Sequence, residues 1–312
     1  MSLLSPHQIA TLTQRMNLFQ PSGFNDELRR DLTEGAAFAA VDGENISEID
    51  DGFRIRQTRN GGFLLQVAIA DGSQVDYESE QLQGAMDAKA SIYQGRRVVR
   101  SLLDKVVVQQ LELRPGPEPR RALVVESRFD ADAQPIATSD IFPAFVRVDS
   151  YSYSRFVANY LPRHGGKNSP IVQFEETFRN NRADLQPGLP VALGGSKQNV
   201  IYGNHLNQDC MVLTNLGVAG MAVEAEVPLL HRRFPTAASI WSSGKAVSTD
   251  KNLYIVGDHQ TPDTGVPYAR TTSPMHDGVS LANHILLGAY IAEEDPDILQ
   301  VMAQEMHQQL TS

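Results

Sequence analysis

The sequence predicts an α+β fold, and three observations carry that prediction. Two strand-like runs, "FRIRQT" at 53–58 and "FLLQVAIA" at 63–70, flank Asn60-Gly61, and an Asn-Gly pair between such runs is a strong hairpin signal. The stretches "NQDCMVLTNLGVAGMAVEAE" (207–226) and "HDGVSLANHILLGAYIAEED" (276–295) carry apolar residues at helical spacing over a helix-sized length. Between them and the hairpin lie further strand-like runs, at 121–135 and 144–153.

Taken in order, residues 5–35 read as two short helices. Ser5-Pro6 supplies an N-cap with proline at the first helical position. Pro21-Ser22-Gly23 breaks the pattern, and Asp26 to Leu32 resumes it. The run 63–70 suits a central strand buried on both faces. "EQLQGAMDAKASIY" (80–93) reads as an amphipathic helix, 121–135 as a strand ending in an Asp-rich turn, and 144–153 as one further strand. A helix follows through Phe156 and Val157 to Leu161. Residues 162–203 are rich in Pro, Gly and Asn and read as loop. "VPLLHRRFP" (227–235) reads as a strand with a basic end, 235–266 as polar loop, and the C-terminus as a last helix.

The composition narrows the function. The chain has 312 residues, about two fifths of them apolar, and no apolar run of membrane-spanning length. Cys210 is its one cysteine, so neither a disulfide framework nor a Cys-based zinc site is available. This reading places the protein in the cytoplasm. The net charge of −10 repels a polyanion at long range, so any nucleic-acid face must be local.

The stretch "VDGENISEIDD" (41–51) crowds Asp42, Glu44, Glu48, Asp50 and Asp51 in front of a buried strand. Like charges this close repel, and each costs free energy when taken out of water. A solvated acidic loop avoids that cost; a divalent cation relieves it. Magnesium takes oxygen ligands from a few carboxylates. Asp50 and Asp51 point opposite ways on a regular strand, so the stretch is expected to turn and converge on Asp42.

Four blocks in order resemble the catalytic domain of the ribonuclease II and ribonuclease R family, the RNB domain. They are "VDGENISEIDDGF", "GGFLLQVAIADGSQVDYESEQLQGAMDAKASIY", "NQDCMVLTNLGVA" with "VPLLHRRFP", and "VPYARTTSPMHDGVSLANH". The resemblance implies an RNB-like domain with a mixed, mainly antiparallel β-sheet packed by α-helices. It would span residues 39–295, after an N-terminal helical segment (1–38) and before a C-terminal helix (296–312). It implies a magnesium-dependent 3′–5′ exoribonuclease acting on RNA, here short and single-stranded, and releasing nucleoside monophosphates. Asp42, Asp50 and Asp51 fall on family aspartates and Glu48 where the family has another, which makes these four the expected metal ligands. Asp50 and His276 are the expected catalytic residues. Tyr93, Arg232, Ser273 and His284 are the expected substrate contacts, with Arg96, Arg97 and Arg233 as further phosphate candidates.

Two departures from the family pattern point the other way. His276 stands where the family has its catalytic arginine, and an imidazole cannot make the bidentate fork that suits a phosphate. Asp277 follows it, and a neighbouring carboxylate of this kind would hold the imidazole charged. Family members also flank this domain with oligonucleotide-binding barrels, whereas some forty residues precede the first motif here and about twenty follow the last block. A protein partner that supplies RNA-binding modules is one replacement. The alternative reading is a catalytically impaired relative that binds RNA or protein.

Overall fold

The computed structural model describes residues 26–44, 48–94, 97–181, 196–234, 254–256 and 266–312. Its centre is a seven-stranded sheet of β1 (Arg30–Asp31), β2 (Phe38–Asp42), β3 (Asp51–Gln57), β4 (Phe63–Ala70), β7 (Arg120–Phe129), β8 (Asp140–Val146) and β9 (Val148–Ser152). The spatial order is β1-β8-β7-β4-β3-β2-β9. The β1–β8 and β2–β9 pairs are parallel and the others antiparallel, so the sheet is mixed and mainly antiparallel.

The hairpin forms where Asn60-Gly61 predicts it. Gln57 pairs with Phe63, the Thr58 N–H donates to the Gly62 carbonyl at 2.8 Å, and Gly61 takes a φ of +82°. Such a φ favours glycine. All eight residues of β4 are buried, as its unbroken apolar run requires between two neighbouring strands and two covered faces.

The run at 144–153 is not one strand of one pair. Up to Ser152 it belongs to β8 and β9, which lie five strand spacings apart in the order yet are separated in sequence by Arg147 alone, and Tyr153 opens a helix. In a flat sheet that gap would be roughly 24 Å at about 4.8 Å per strand. One residue spans only about 3.5 Å. The sheet is therefore rolled, with 140–152 bent at Arg147 to pair with β7 on one side and β2 on the other. The Phe38 N–H donates to the Arg147 carbonyl at this bend, 2.9 Å away.

Other expectations are corrected. Residues 1–25 lie outside the described residues, but Asp26 to Leu32 is not helical. Asp26–Leu28 is a 3-10 turn, and β1 pairs with Ala144 and Phe145. Arg29, between them, reaches the buried Asp71 at 2.6 Å, and that ion pair draws the segment onto the main sheet. The helix expected over 80–93 ends sooner. Helix α1 (Glu80–Ala88) stops where Lys89 turns left-handed, and β5 (Ile92–Gln94) then pairs with β6 (Arg97–Arg100). A short helix α2 (Lys105–Leu111) follows.

Within the stretch read as loop lies helix α3 (Pro170–Asn180), announced by Ser169-Pro170: the Ser169 hydroxyl accepts from the Val172 N–H. Residues 182–195 are outside the described set. The long helix α4 (Ser196–Glu224) covers the stretch expected at 207–226 but starts eleven residues earlier, inside the stretch read as loop, and helices α5 (Gly278–Ile291) and α6 (Pro296–Thr311) fall where the sequence places them. A second sheet has the order β11 (Tyr254–Val256), β10 (Leu230–Phe234), β12 (Val266–Ala269). The remainder of the stretch read as loop at 235–266 lies outside the described residues. Among the described residues, no helix is long and apolar enough to cross a membrane.

One apolar core joins the sheet to these helices, α6 included. Phe174 of α3 is its aromatic hub, with ring centroids 5.5 Å from Phe63, 5.0 Å from Phe129 and 5.8 Å from Phe178. It has no exposed surface. Phe174→Ala is expected to cost about 3–5 kcal/mol, through lost burial and the cavity left behind. A urea-unfolding difference below about 1 kcal/mol would show that the site collapses around the truncation. Nearby, Arg179 binds both Glu175, at 2.6 Å, and Asp209 of α4. Burial and the Asp209 charge push the Glu175 carboxyl up to about 8. Cys210 is buried beside them, as its apolar helix predicts.

Candidate functional site

The candidate site lies at one end of the rolled sheet. The antiparallel order brings together the end of β2, the start of β3 and the end of β4. Asp42 closes β2, Asp51 opens β3 opposite Ile69, and Asp50 stands just before it. The expected turn is thus confined to the residues before Asp51, which is itself on the strand. Gly72, past the end of β4, lets the 273–276 turn settle here: a Cβ on Gly72 would come 2.9 Å from that of Pro274.

The three aspartates sense one another. Burial pushes the Asp42 carboxyl up to about 6, and the Asp50 charge adds to it. Burial raises Asp50 to about 6 as well; His276 and the Met275 N–H oppose the shift, and Glu48 reinforces it. Asp51 lies well above the usual carboxylate range, through burial and the charges of Asp42 and Asp50. The three carboxylates are therefore partly buried and near enough to repel one another.

His276 meets this cluster directly. Its Nε2 is 3.2 Å from Asp50 Oδ2 and 3.7 Å from Glu48 Oε2. Its Nδ1 is 3.4 Å from the Ser91 hydroxyl, which also accepts the Leu102 N–H at 2.9 Å. These partners favour a proton on Nε2, facing Asp50, and a Ser91 O–H donating to Nδ1. Asp277 does not hold the imidazole, contrary to the sequence expectation. Its carboxylate caps α5 by accepting from Ser280 N–H at 2.9 Å, and it lies 3.4 Å from Arg270. A helix N-terminus claims the nearer acceptor, so Asp50 and Glu48 face His276 in its place.

Tyr93 is half exposed, with its ring centroid 6.0 Å from the imidazole. Burial of its hydroxyl end, with the Asp50 and Glu48 charges, pushes its phenol up to about 12. Ser273 shapes the turn through its carbonyl, which accepts from the N–H groups of His276 and Asp277. Arg232 lies on β10, in the second sheet, beside Tyr268. The arginine whose charge reaches Asp50 is Arg270. His284 is fully buried: Nδ1 accepts from the Gly72 N–H at 3.2 Å and Nε2 donates to the Thr271 carbonyl at 2.8 Å. Both ring nitrogens are spent on backbone, which makes it a clamp on the 271–276 turn in place of the expected substrate contact. Arg96 and the side chains of Arg97 and Arg233 lie outside the described set.

Two contributors, Arg270 and Ser91, give no signal in the sequence reading, and Tyr153 and Ser154 take contacts that it does not assign. Arg270 lies within the VPYARTTSP block, and its charge acts on Asp50. Tyr153 faces Asp42 and Asp51, whose charges, after burial, raise its phenol to about 12. Ser154 donates to Glu44 at 3.0 Å. Ser91 carries no sequence signal, because its partners are remote in the chain.

The donor chemistry fits magnesium: every candidate ligand is a carboxylate oxygen, and repulsion among partly buried carboxylates is what a cation would relieve. As placed, however, no three His, Cys, Asp or Glu side chains among the described residues stand close enough to hold an ion. Asp50 is occupied by the Met275 N–H, at 3.1 Å, and by His276.

Fold and site together define an α+β domain of rolled mixed sheet with a partly buried group of carboxylates at one end. The chain belongs to the RNB domain family, whose model matches residues 29–252. Among solved structures, RNase R of Mycoplasma genitalium, in complex with ribose-methylated single-stranded RNA, is similar at 18% identity and a TM-score of 0.68. The match covers 97% of this chain and 58% of that one. An active-site mutant of the Candida glabrata Dss1 exoribonuclease is similar at 16% identity and a TM-score of 0.62, over 99% of this chain and 49% of that one. Yeast Ssd1, a pseudonuclease, is similar at 16% identity and a TM-score of 0.65, over 94% and 46%. The chain thus spans less than two thirds of the length of these structures. No curated protein sequence matches it.

Proposed function

We propose that the chain hydrolyses RNA phosphodiesters from the 3′ end, with magnesium as cofactor and short single-stranded RNA as substrate, releasing nucleoside monophosphates. The observation that carries this reading is the meeting of three partly buried, mutually repelling carboxylates with the half-exposed ring of Tyr93 and the imidazole of His276. Asp42, Asp50 and Asp51 would hold magnesium, with Glu48 at the edge, and the ion supplies Lewis-acid stabilisation of phosphoryl charge. Tyr93 offers its ring to a terminal base, a contact worth about 1–3 kcal/mol. Asp50 and Glu48 hold His276 at the position where the family has an arginine, with its one N–H turned to Asp50. Residues 39–295 carry every group named.

A second reading, an impaired relative that binds RNA or protein, is supported by the pairing of His276 with Asp50 and by the likeness to the pseudonuclease Ssd1. A 5′-labelled oligoribonucleotide incubated with the protein separates the two. The exonuclease reading expects stepwise shortening and nucleoside monophosphates with magnesium, and neither with a chelator. Intact RNA that is nevertheless bound, with either magnesium or manganese present, would establish the second reading.

A further inference from the structure

We propose that Asn215 is a positioning residue for Asp50 and His276, acting through the 268–277 segment and not on substrate. This rests on the role given above to those two residues. Asn215 sits on α4 and is 1% exposed. Its Oδ1 accepts from the Thr271 N–H at 2.8 Å and the Thr271 hydroxyl at 3.0 Å. Its Nδ2 donates to the Tyr268 hydroxyl at 2.8 Å and the Thr272 hydroxyl at 3.2 Å. Two lone pairs and two N–H groups are the whole capacity of an asparagine amide, and all four act on one stretch of chain.

That stretch is gripped from the other side by α5. Asn283 Nδ2 donates to the Arg270 carbonyl at 2.9 Å, and His284 Nε2 to the Thr271 carbonyl at 2.8 Å. The Thr271 peptide is thus fixed at its N–H by one helix and at its carbonyl by another. Beyond it, the Ser273 carbonyl accepts from the N–H groups of His276 and Asp277, closing a single turn. The Met275 N–H of that turn reaches Asp50 Oδ1, and His276 reaches Asp50 Oδ2. A shift at Thr271 therefore moves both groups that aim the Asp50 carboxylate. Tyr93 lies on the β5–β6 hairpin, outside the segment that Asn215 grips.

The test compares the full chain with Asn215→Ala and Asn215→Asp, by steady-state cleavage of a short oligoribonucleotide with magnesium and by peptide-resolved hydrogen exchange. Asn215→Ala is expected to lower kcat about a hundredfold through misplacement of the reacting groups, with KM within about twofold. Exchange at 268–277 should quicken while β4 and β7 stay protected. Asn215→Asp should recover most of kcat, since its carboxylate accepts from the Thr271 N–H and hydroxyl, and the Tyr268 and Thr272 hydroxyls can turn to donate. An unchanged kcat, a loss carried wholly by KM, or unchanged exchange at 268–277 overturns the proposal. If Asn215→Ala does not fold, Thr271→Val and Thr272→Val remove single hydroxyl contacts at constant volume; each should lower kcat about tenfold, and wild-type kcat in both overturns the proposal. If the unmodified chain cleaves no RNA, the functional reading fails by itself, and the exchange measurement still decides whether Asn215 holds the segment.

Discussion

Asp51→Asn is expected to abolish magnesium-dependent RNA cleavage while making the metal-free protein more stable at pH 8. The two effects share one cause. Burial and the charges of Asp42 and Asp50 hold the Asp51 carboxyl well above its ordinary value. The folded state therefore resists ionising it, whereas the unfolded chain ionises it near 3.8. Below 3.8 both states are protonated and nothing is lost. As pH rises past that value the unfolded state is favoured, until the folded group ionises too, and each pKa unit of difference costs about 1.4 kcal/mol. Asparagine keeps the shape and removes the penalty, so Tm at pH 8 should rise by about 2 °C or more. It also removes a ligand charge, and cleavage should fall at least about a hundredfold. Magnesium should stabilise the unmodified protein more at pH 8 than at pH 5, because protons on Asp42 and Asp50, both near 6, compete with the ion. Thermal melts with and without magnesium check this. Cleavage at the parental rate, or a lower Tm for the metal-free variant at pH 8, would remove Asp51 from the site.

His276→Arg should raise turnover on short RNA about a hundredfold, the usual value of one well-placed electrostatic contact in a transition state. The imidazole already lies between Asp50 and Glu48, at 3.2 and 3.7 Å. A guanidinium there can pair with these carboxylates and still present N–H groups to a phosphate, which the single Nε2–H cannot do. Single-turnover rates with saturating RNA and magnesium isolate the chemical step. If the arginine variant binds both yet remains as slow as the parent, the departure at 276 is not what limits the site, and the binding reading gains.

The hairpin around Asn60-Gly61, the fully buried β4, most of α4 and helices α5 and α6 were legible in the sequence because their signals are local. Turn chemistry, an unbroken apolar run and a 3.6-residue period each act within a few residues. The crowd of carboxylates at 41–51 was legible for the same reason, as was the replacement at His276 once the family pattern was recognised. The long-range choices were not. Nothing in "AFVRVDSYSY" says that the chain bends at Arg147 to join both sides of the sheet; pairing with β7 and β2 decides it. Asp26 to Leu32 has a helical pattern, but the Arg29–Asp71 ion pair and pairing with β8 override it.

The sequence by itself determined which residues carry charge, which runs are buried and which local elements form. Only the tertiary structure decided that Asp50 and Glu48, and not Asp277, face His276, that Arg270 supplies the nearby positive charge in place of Arg232, and that His284 and Asn215 grip the turn. The physical reason is the range of the forces. Propensity and hydrophobic period depend on neighbours in the chain, whereas a hydrogen bond or an ion pair depends on neighbours in space, and here those neighbours lie up to 228 residues apart, as Glu48 and His276 do.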